Sequence, residues 1–213
     1  ELLLKTPKNV SFIIVDSSSS IENKETIYKY TSSNEELAAR ISLEQVDLQM
    51  GSQSEQRNIC LKYCKTPYIL YIDDDCFFTK DTFSKLENLI ANNQNTHVFG
   101  CRIIQGDTVK KEQYSDEILP SYSTFFWTKG SFNIDIKDCK YSDHLQGTFM
   151  CFNFESLKKV NGFNQNLIMG YAPFEDSYTV MSVAKETETR PLIDFSIQVV
   201  HGAVPRLQGK SRD

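Results

Sequence analysis

The sequence predicts a single α/β domain with a mostly parallel central sheet flanked by helices. Three observations carry this: short apolar strands alternate with helical stretches, two of those strands end in aspartate, and there is apolar material for one core. With 213 residues and 40% hydrophobic content, one sizeable core can be buried and a second independent one is not expected. Residues 10–15 (VSFIIV) form a β-branched apolar run closed by Asp16 and four serines, the pattern of a buried parallel strand entering a loop. Residues 22–40 have helical spacing, 41–48 alternate as a strand, and 55–63 are amphipathic and helical. Tyr68–Ile72 (YILYI), introduced by Pro67, is the clearest strand and stops at Asp73, Asp74 and Asp75. A helix over 80–91 with Thr79 as its cap, and a strand over 98–104, come next. Residues 105–146 are polar, aromatic and irregular, a long connection of the kind that carries function. The remaining elements are a strand at 148–153, helices at 154–160 and 175–184, and a strand at 193–200.

The formal charge of -5 leaves no cationic surplus to neutralise nucleic-acid phosphates, so no nucleic-acid partner is expected. Cys60, Cys64, Cys76, Cys101, Cys139 and Cys151 are scattered, several of them in apolar runs, and read as reduced core thiols. The spacing of Cys60 and Cys64 is not the CxxC of a zinc or redox site. No apolar stretch reaches the ~18 residues of a membrane span, and the N-terminus lacks the layout of a signal peptide. The expectation is a cytoplasmic protein without a transmembrane segment, with association at the inner face of the membrane left open.

Three consecutive aspartates ending an apolar strand are costly through mutual repulsion unless a cation is present. Mg²⁺ or Mn²⁺ suits such a cluster, because it takes carboxylates together with substrate phosphates and so holds a nucleoside diphosphate. The competing reading is a solvated acidic turn that caps the next helix. A second feature is Gly162-Phe163-Asn164, followed by Glu175-Asp176 at the start of a predicted helix. A carboxylate there can deprotonate a hydroxyl, although acids also favour a first helical turn for dipole reasons alone.

Together these segments resemble the family 2 glycosyltransferases and their Rossmann-like GT-A fold. IIVDSSSS (13–20) is similar to the family's second strand and turn, QRN (56–58) to its Arg-Asn helix start, and YILYIDDD (68–75) to its strand and DxD motif. GTFMCFNFESLKKVNGFNQNL (147–167) and FEDS (174–177) resemble its Gly-Gly-Phe-Asp segment and Glu-Asp motif, in the family's order. The resemblance implies a nucleotide-sugar part over about 1–104 and an acceptor part over about 105–213. It implies that Asp16 and Arg57 approach the base, and that Asp73, Asp74 and Asp75 hold ribose, metal and diphosphate. It also implies Asp176 as catalytic base beside Glu175, with His201 joining Asp73 and Asp75 as a metal ligand. On this alignment the family's first strand is missing or replaced by residues 1–9, and Asn161 and Asn164 stand for the usual Gly and Asp.

Other polar and aromatic residues admit plain readings. His97 and His144 need no function, and Arg206, Lys210 and Arg212 read as a solvated tail or a flap over the diphosphate. Trp127, with Tyr122, Phe125 and Phe126, forms a core cluster or a sugar platform. The implied reaction moves a sugar from a nucleoside diphosphate donor, with uridine diphosphate as the carrier, to a hydroxyl of a polysaccharide or glycolipid, with inversion. Two rivals stand beside it. One is a Mg²⁺-dependent phosphohydrolase of the haloacid dehalogenase type, in whose Asp-x-Asp-x-Thr pattern Phe77 takes the Thr position. The other is a non-catalytic nucleotide- or sugar-binding domain of a longer synthase.

Overall fold

Along Tyr68–Ile72 the side chains alternate between two faces, Ile69 and Tyr71 to one apolar cluster and Tyr68, Leu70 and Ile72 to another, so this strand lies inside a layered structure. A computed structural model describes residues 6–17, 20–33, 35–46, 53–105, 139–141, 145–166 and 175–201. In chain order these are β1 (Phe12–Asp16), α1 (Ile21–Ser32), α2 (Glu35–Ala38), β2 (Ile41–Gln45), α3 (Gln53–Tyr63), β3 (Tyr68–Ile72) and β4 (Cys76–Phe78). There follow α4 (Thr82–Asn92), β5 (Val98–Gln105), β6 (Cys139–Tyr141), β7 (Phe149–Asn153), α5 (Phe154–Lys159), α6 (Glu175–Thr187) and β8 (Leu192–His201). Leu86 and Leu89 of α4 pack on one face of the larger sheet. Cys60 and Leu61 of α3, Leu157 of α5, and Val180 and Val183 of α6 pack on the other.

The expected α/β class and flanking helices are present, but the sheet is not mostly parallel. β1 and β2 form a parallel pair, and a six-stranded sheet runs β3-β7-β5-β8-β4 with β6 on β8. Four of the six pairings among the described residues are antiparallel, and only β1 with β2 and β5 with β8 run in the same direction. A short apolar run bounded by polar residues reads identically in either direction, so strand orientation was not encoded in the pattern that located the strands. β4 and β6, three residues each, are too short for periodicity to register.

Local chemistry sets several boundaries. Ser20 caps α1 by accepting from the Asn23 N–H. The helix expected over 22–40 breaks after Ser32, where the hydroxyls of Thr31, Ser32 and Ser33 each turn back onto carbonyls of the preceding turn. Asn153 ends β7 and caps α5 by accepting from the Ser156 N–H at 3.0 Å. At the other end of α5, Asn161 and Gly162 both adopt left-handed backbone, at φ 61° and 71°. Asparagine tolerates that region, so the Asn161 that departs from the family pattern still makes the turn. Of the residues expected to replace a first strand, Thr6–Asn9 form a bend and turn, and residues 1–5 lie outside the described residues. His144, the aromatic group around Trp127 and the basic residues from 206 onward also lie outside them.

Cys60, Cys64, Cys76, Cys101 and Cys151 are free, in keeping with the reading of core thiols. Burial pushes Cys60 up to about 11 and Cys151 up to about 12, and raises Cys76 and Cys101 as well. The thiolate is the reactive form, so these four sulfurs should react with an aromatic disulfide reagent at pH 8 far more slowly in the native protein than after guanidinium unfolding. Fast native-state labelling of Cys101 or Cys151 would contradict the packing described here.

Candidate active site

Asp73 leaves β3 with its N–H still bonded to the Thr148 carbonyl at 3.3 Å, one step beyond the last register pair, Ile72 with Phe149. Two residues later the chain enters β4, which runs antiparallel to the end of β8 and pairs Cys76 with His201. Sheet register therefore delivers a histidine from near the far end of the chain to the aspartates. His201 Nε2 lies 3.4 Å from Asp73 Oδ2 and 3.3 Å from Asp75 Oδ1. Asp74, between them, is exposed and does not belong to this group. The triplet, which turns between β3 and β4, thus gives two carboxylates to the group and leaves the third exposed.

One ligand atom from each of Asp73, Asp75 and His201 lies within 4.8 Å of the others. Two carboxylate oxygens and an imidazole nitrogen at this separation fit a divalent cation. Burial alone would raise the Asp73 carboxyl, but the hydrogen bond from His201 and the charge of Arg57 outweigh it and hold it below the usual carboxylate range.

Helix α3 supplies the other side of the site. Arg57 places Nη1 2.7 Å from Glu175 Oε1 and Nη2 3.9 Å from Asp73 Oδ1, with Nη2 also 3.5 Å from the Gly147 carbonyl. Its guanidinium lies over the Phe163 ring, 5.3 Å from the centroid. Asn58, the next residue, donates to the Phe163 carbonyl at 2.7 Å and accepts from the Phe163 N–H at 2.8 Å. The side-chain amide thereby acts as a strand partner for one residue and holds the Gly162-Phe163 turn against α3. Tyr71 completes the support, its hydroxyl donating to the Arg57 carbonyl at 3.1 Å and its ring edge-on to Phe163.

At the start of α6, Glu175 is buried in its ion pair, whereas Asp176 is half-buried. Asp176 accepts from the Gly147 N–H at Oδ2 (2.8 Å) and from the Ser177 N–H at Oδ1 (2.6 Å), which fixes the carboxylate plane. Residues 147 and 148 consequently join the two acidic groups, Gly147 touching Asp176 and Thr148 touching Asp73. A Cβ on Gly147 would sit 2.8 Å from Arg57 Nη2, so a larger residue does not fit.

Asp16 closes β1 and is buried, with Gln45 Nε2 3.5 Å from its Oδ2. Its neighbour Ser17 accepts a hydrogen bond from Gln56, which ties this strand end to α3 one residue before Arg57. The structure thus brings Asp73, Asp75, His201, Arg57, Glu175 and Asp176 into one connected set, with Asp16 reached through α3 and Asp74 outside it. Phe163 lies in the Gly162-Phe163-Asn164 feature that the sequence marks, whereas Gly147 and Thr148 were not singled out by sequence reasoning. Their contribution is largely backbone, and no spacing rule marks it.

The family model described as Glycosyl transferase family 2 matches residues 1–160. The chain belongs to glycosyltransferase family 2. Solved structures show the same GT-A fold. A mannosyltransferase from Pyrobaculum calidifontis, in complex with GDP-Man and Mn²⁺, is 16% identical at TM-score 0.66 over 95% of this chain and 50% of its own. GalNAc-T7 with UDP, GalNAc and Mn²⁺ is 16% identical at TM-score 0.66 over 96% of this chain and 40% of its own. S. aureus TarS 1-349 in complex with UDP-GlcNAc is 17% identical at TM-score 0.63 over 98% of this chain and 54% of its own. The family 2 chain therefore spans about half the length of these structures or less. No curated protein matches it.

The Gly162 turn offers a test of how the site is braced. At φ 71° a Cβ would be strained, and it would meet the Asn58 oxygen and come within 2.6 Å of Leu61 Cδ1. Gly162→Ala should lower the stability of the domain by about 1 to 3 kcal/mol in urea unfolding, the size expected for a strained backbone position. An unchanged midpoint would show that the Asn58 clamp yields freely.

Proposed function

We propose that this family 2 domain transfers a sugar from a nucleoside diphosphate donor, carried on uridine diphosphate, to a hydroxyl of a glycan or glycolipid, with inversion at the anomeric carbon. The observation that carries the reading is the convergence of Asp73, Asp75 and His201 on one point, joined through Arg57 and Gly147 to the carboxylate of Asp176. Asp73, Asp75 and His201 would hold the cation, and a nitrogen ligand beside carboxylates favours Mn²⁺ over Mg²⁺, which takes oxygen almost exclusively. When bound, such an ion supplies positive charge beside the departing diphosphate. The Mn²⁺ and nucleotides held by the solved neighbours support this assignment.

The remaining chemistry belongs to the side chains. Asp176 is the general base: it takes the proton of the acceptor hydroxyl as that oxygen bonds to the anomeric carbon and the bond from that carbon to the diphosphate breaks. Its hydrogen bonds from Gly147 and Ser177 hold one orientation, so no reorganisation is needed at the moment of transfer. Asp16 and the end of β1 serve the nucleoside side, within the part spanning about 1–104, and the acceptor is met by the part spanning about 105–213. Asp74, exposed beside the metal ligands, is left to meet the donor's ribose. Among the described residues no helix is long and apolar enough to cross a membrane. Free thiols suit the cytoplasm, where the inner membrane face would present a glycolipid acceptor.

Titration calorimetry with UDP and GDP, each with and without MnCl₂, tests the donor site. Nucleotide binding should require the ion, and Asp75→Asn should abolish that requirement together with the affinity. Metal-independent binding by the wild type would overturn the cation site. For the base, Asp176→Asn should leave the nucleotide dissociation constant unchanged while donor turnover falls by roughly 10² to 10⁴-fold, the usual span for a general base. Equal turnover by wild type and variant, or none by either with every donor tried, would favour a binding module.

A further inference from the structure

The sequence resemblance assigned Arg57 to the nucleobase and Glu175 to catalysis, yet both side chains are spent on each other. The Arg57 side chain is 11% exposed and that of Glu175 8%, with 2.7 Å between them. A guanidinium enclosed by Glu175, the Gly147 carbonyl and the Phe163 face has little freedom to reach a base. Its other terminal nitrogen lies 3.9 Å from Asp73 Oδ1, too long for a hydrogen bond and short enough for a strong charge interaction. Arg57 therefore divides its charge between a carboxylate of the cation site and the residue adjoining Asp176.

We propose that Arg57 is a positioning residue that couples cation loading at Asp73 to the seating of the helix that begins with Glu175 and Asp176. The inference rests on the reading of Asp73, Asp75 and His201 as a cation site. Two positive charges cannot share Asp73 without mutual repulsion, so an arriving ion shifts the Arg57 charge toward Glu175. That tightens the ion pair at the first turn of α6 and holds Asp176 against the Gly147 N–H. Glu175 then acts through Arg57 and does not touch the reacting atoms.

The coupling has opposite consequences for the two partners. Removing Arg57 deletes the charge that competes with the ion. Removing the charge of Glu175 leaves Arg57 with Asp73 as its remaining carboxylate, and strengthens the competition. Mn²⁺ binding, followed by electron paramagnetic resonance of the free ion in the presence of UDP, should therefore tighten in Arg57→Gln and weaken in Glu175→Gln. Each shift should be roughly threefold to a hundredfold, the range spanned by coupling within one ion-pair network. Donor turnover at saturating Mn²⁺, read as hydrolysis of UDP-GlcNAc or GDP-Man, should fall in both. A single variant leaves a buried charge uncompensated and is at risk of unfolding, so Arg57→Gln/Glu175→Gln is made alongside and each melting temperature is measured. The double variant, with neither charge, should bind Mn²⁺ as Arg57→Gln does. Weakened Mn²⁺ binding in both single variants, or no shift in either, would overturn the coupling. A change confined to UDP affinity in Arg57→Gln would return that residue to the nucleobase. A wild type that takes up no Mn²⁺ would remove the cation-site reading itself.

Discussion

One enclosed guanidinium allows two acidic segments to meet. Asp73 and Asp75 at the end of β3, and Glu175 and Asp176 at the start of α6, would repel one another across a partly dry space. Arg57 stands between them, 2.7 Å from Glu175 and 3.9 Å from Asp73, while His201 stands within 3.4 Å of both Asp73 and Asp75. The guanidinium supplied by α3 and the imidazole supplied by β8 thus give the acids partners before any ligand arrives. A buried charge held this way is retained for geometry more readily than for stability, since an apolar replacement of the whole network commonly costs nothing. The position of Arg57 is in turn guaranteed by neutral contacts: Phe163 below the guanidinium, Tyr71 on its carbonyl, and the Asn58 amide pinning Phe163 in place.

That arrangement explains the Arg-Asn pair of α3 in physical terms. Adjacent helical residues diverge by about 100°, so Arg57 and Asn58 face different partners from a single turn. One reaches the carboxylates and the other reaches the backbone of the Gly162-Phe163 turn, more than a hundred residues away in sequence. Both are satisfied only if α3, the turn after α5 and the first turn of α6 keep their mutual distances. The aromatic contacts of Phe163 with Tyr71 and Phe152 carry the same constraint into the sheet, because Tyr71 belongs to β3 and Phe152 to β7.

Much of this was legible in the residues themselves. Tyr68–Ile72 was located to the residue because a β-branched and aromatic run was bounded by proline on one side and aspartates on the other. The family order of IIVDSSSS, QRN, YILYIDDD and FEDS carried the fold. What stayed hidden was direction and register. Nothing in the sequence of β7 says that it runs against β3 and β5, and nothing in residues 76–78 announces a strand. The sorting of the aspartate triplet follows only once the chain at 73–75 is known to turn from β3 into β4. The burial of Glu175 was likewise invisible, because an acid in a first helical turn is ordinarily solvated, and only the approach of Arg57 from α3 makes a buried carboxylate tolerable.

Chain length supplies the last constraint on the metal-ligating group. In the six-stranded order β3 and β4 stand at opposite ends, yet only Asp73, Asp74 and Asp75 connect them. Four extended steps from Ile72 to Cys76 reach roughly 14 Å at most, less than the separation of the outer strands of a flat five-strand path at about 4.8 Å spacing. The sheet must therefore coil until its two ends approach. β8 provides the means: its register against β5 slips between Cys101 and Arg102, with Phe195, Ser196 and Ile197 inserted between Asp194 and Gln198. Asp194 stabilises the irregularity by accepting from the Ser196 N–H at 2.8 Å. Past this bulge the final residues of β8 pair with both β5 and β4, and His201 arrives opposite Cys76. The short acidic connection and the pairing of β4 with β8 thus bring Asp73, Asp75 and His201 to one place. A connection long enough to spare the sheet its curl would no longer hold Asp73 and Asp75 within reach of the same histidine.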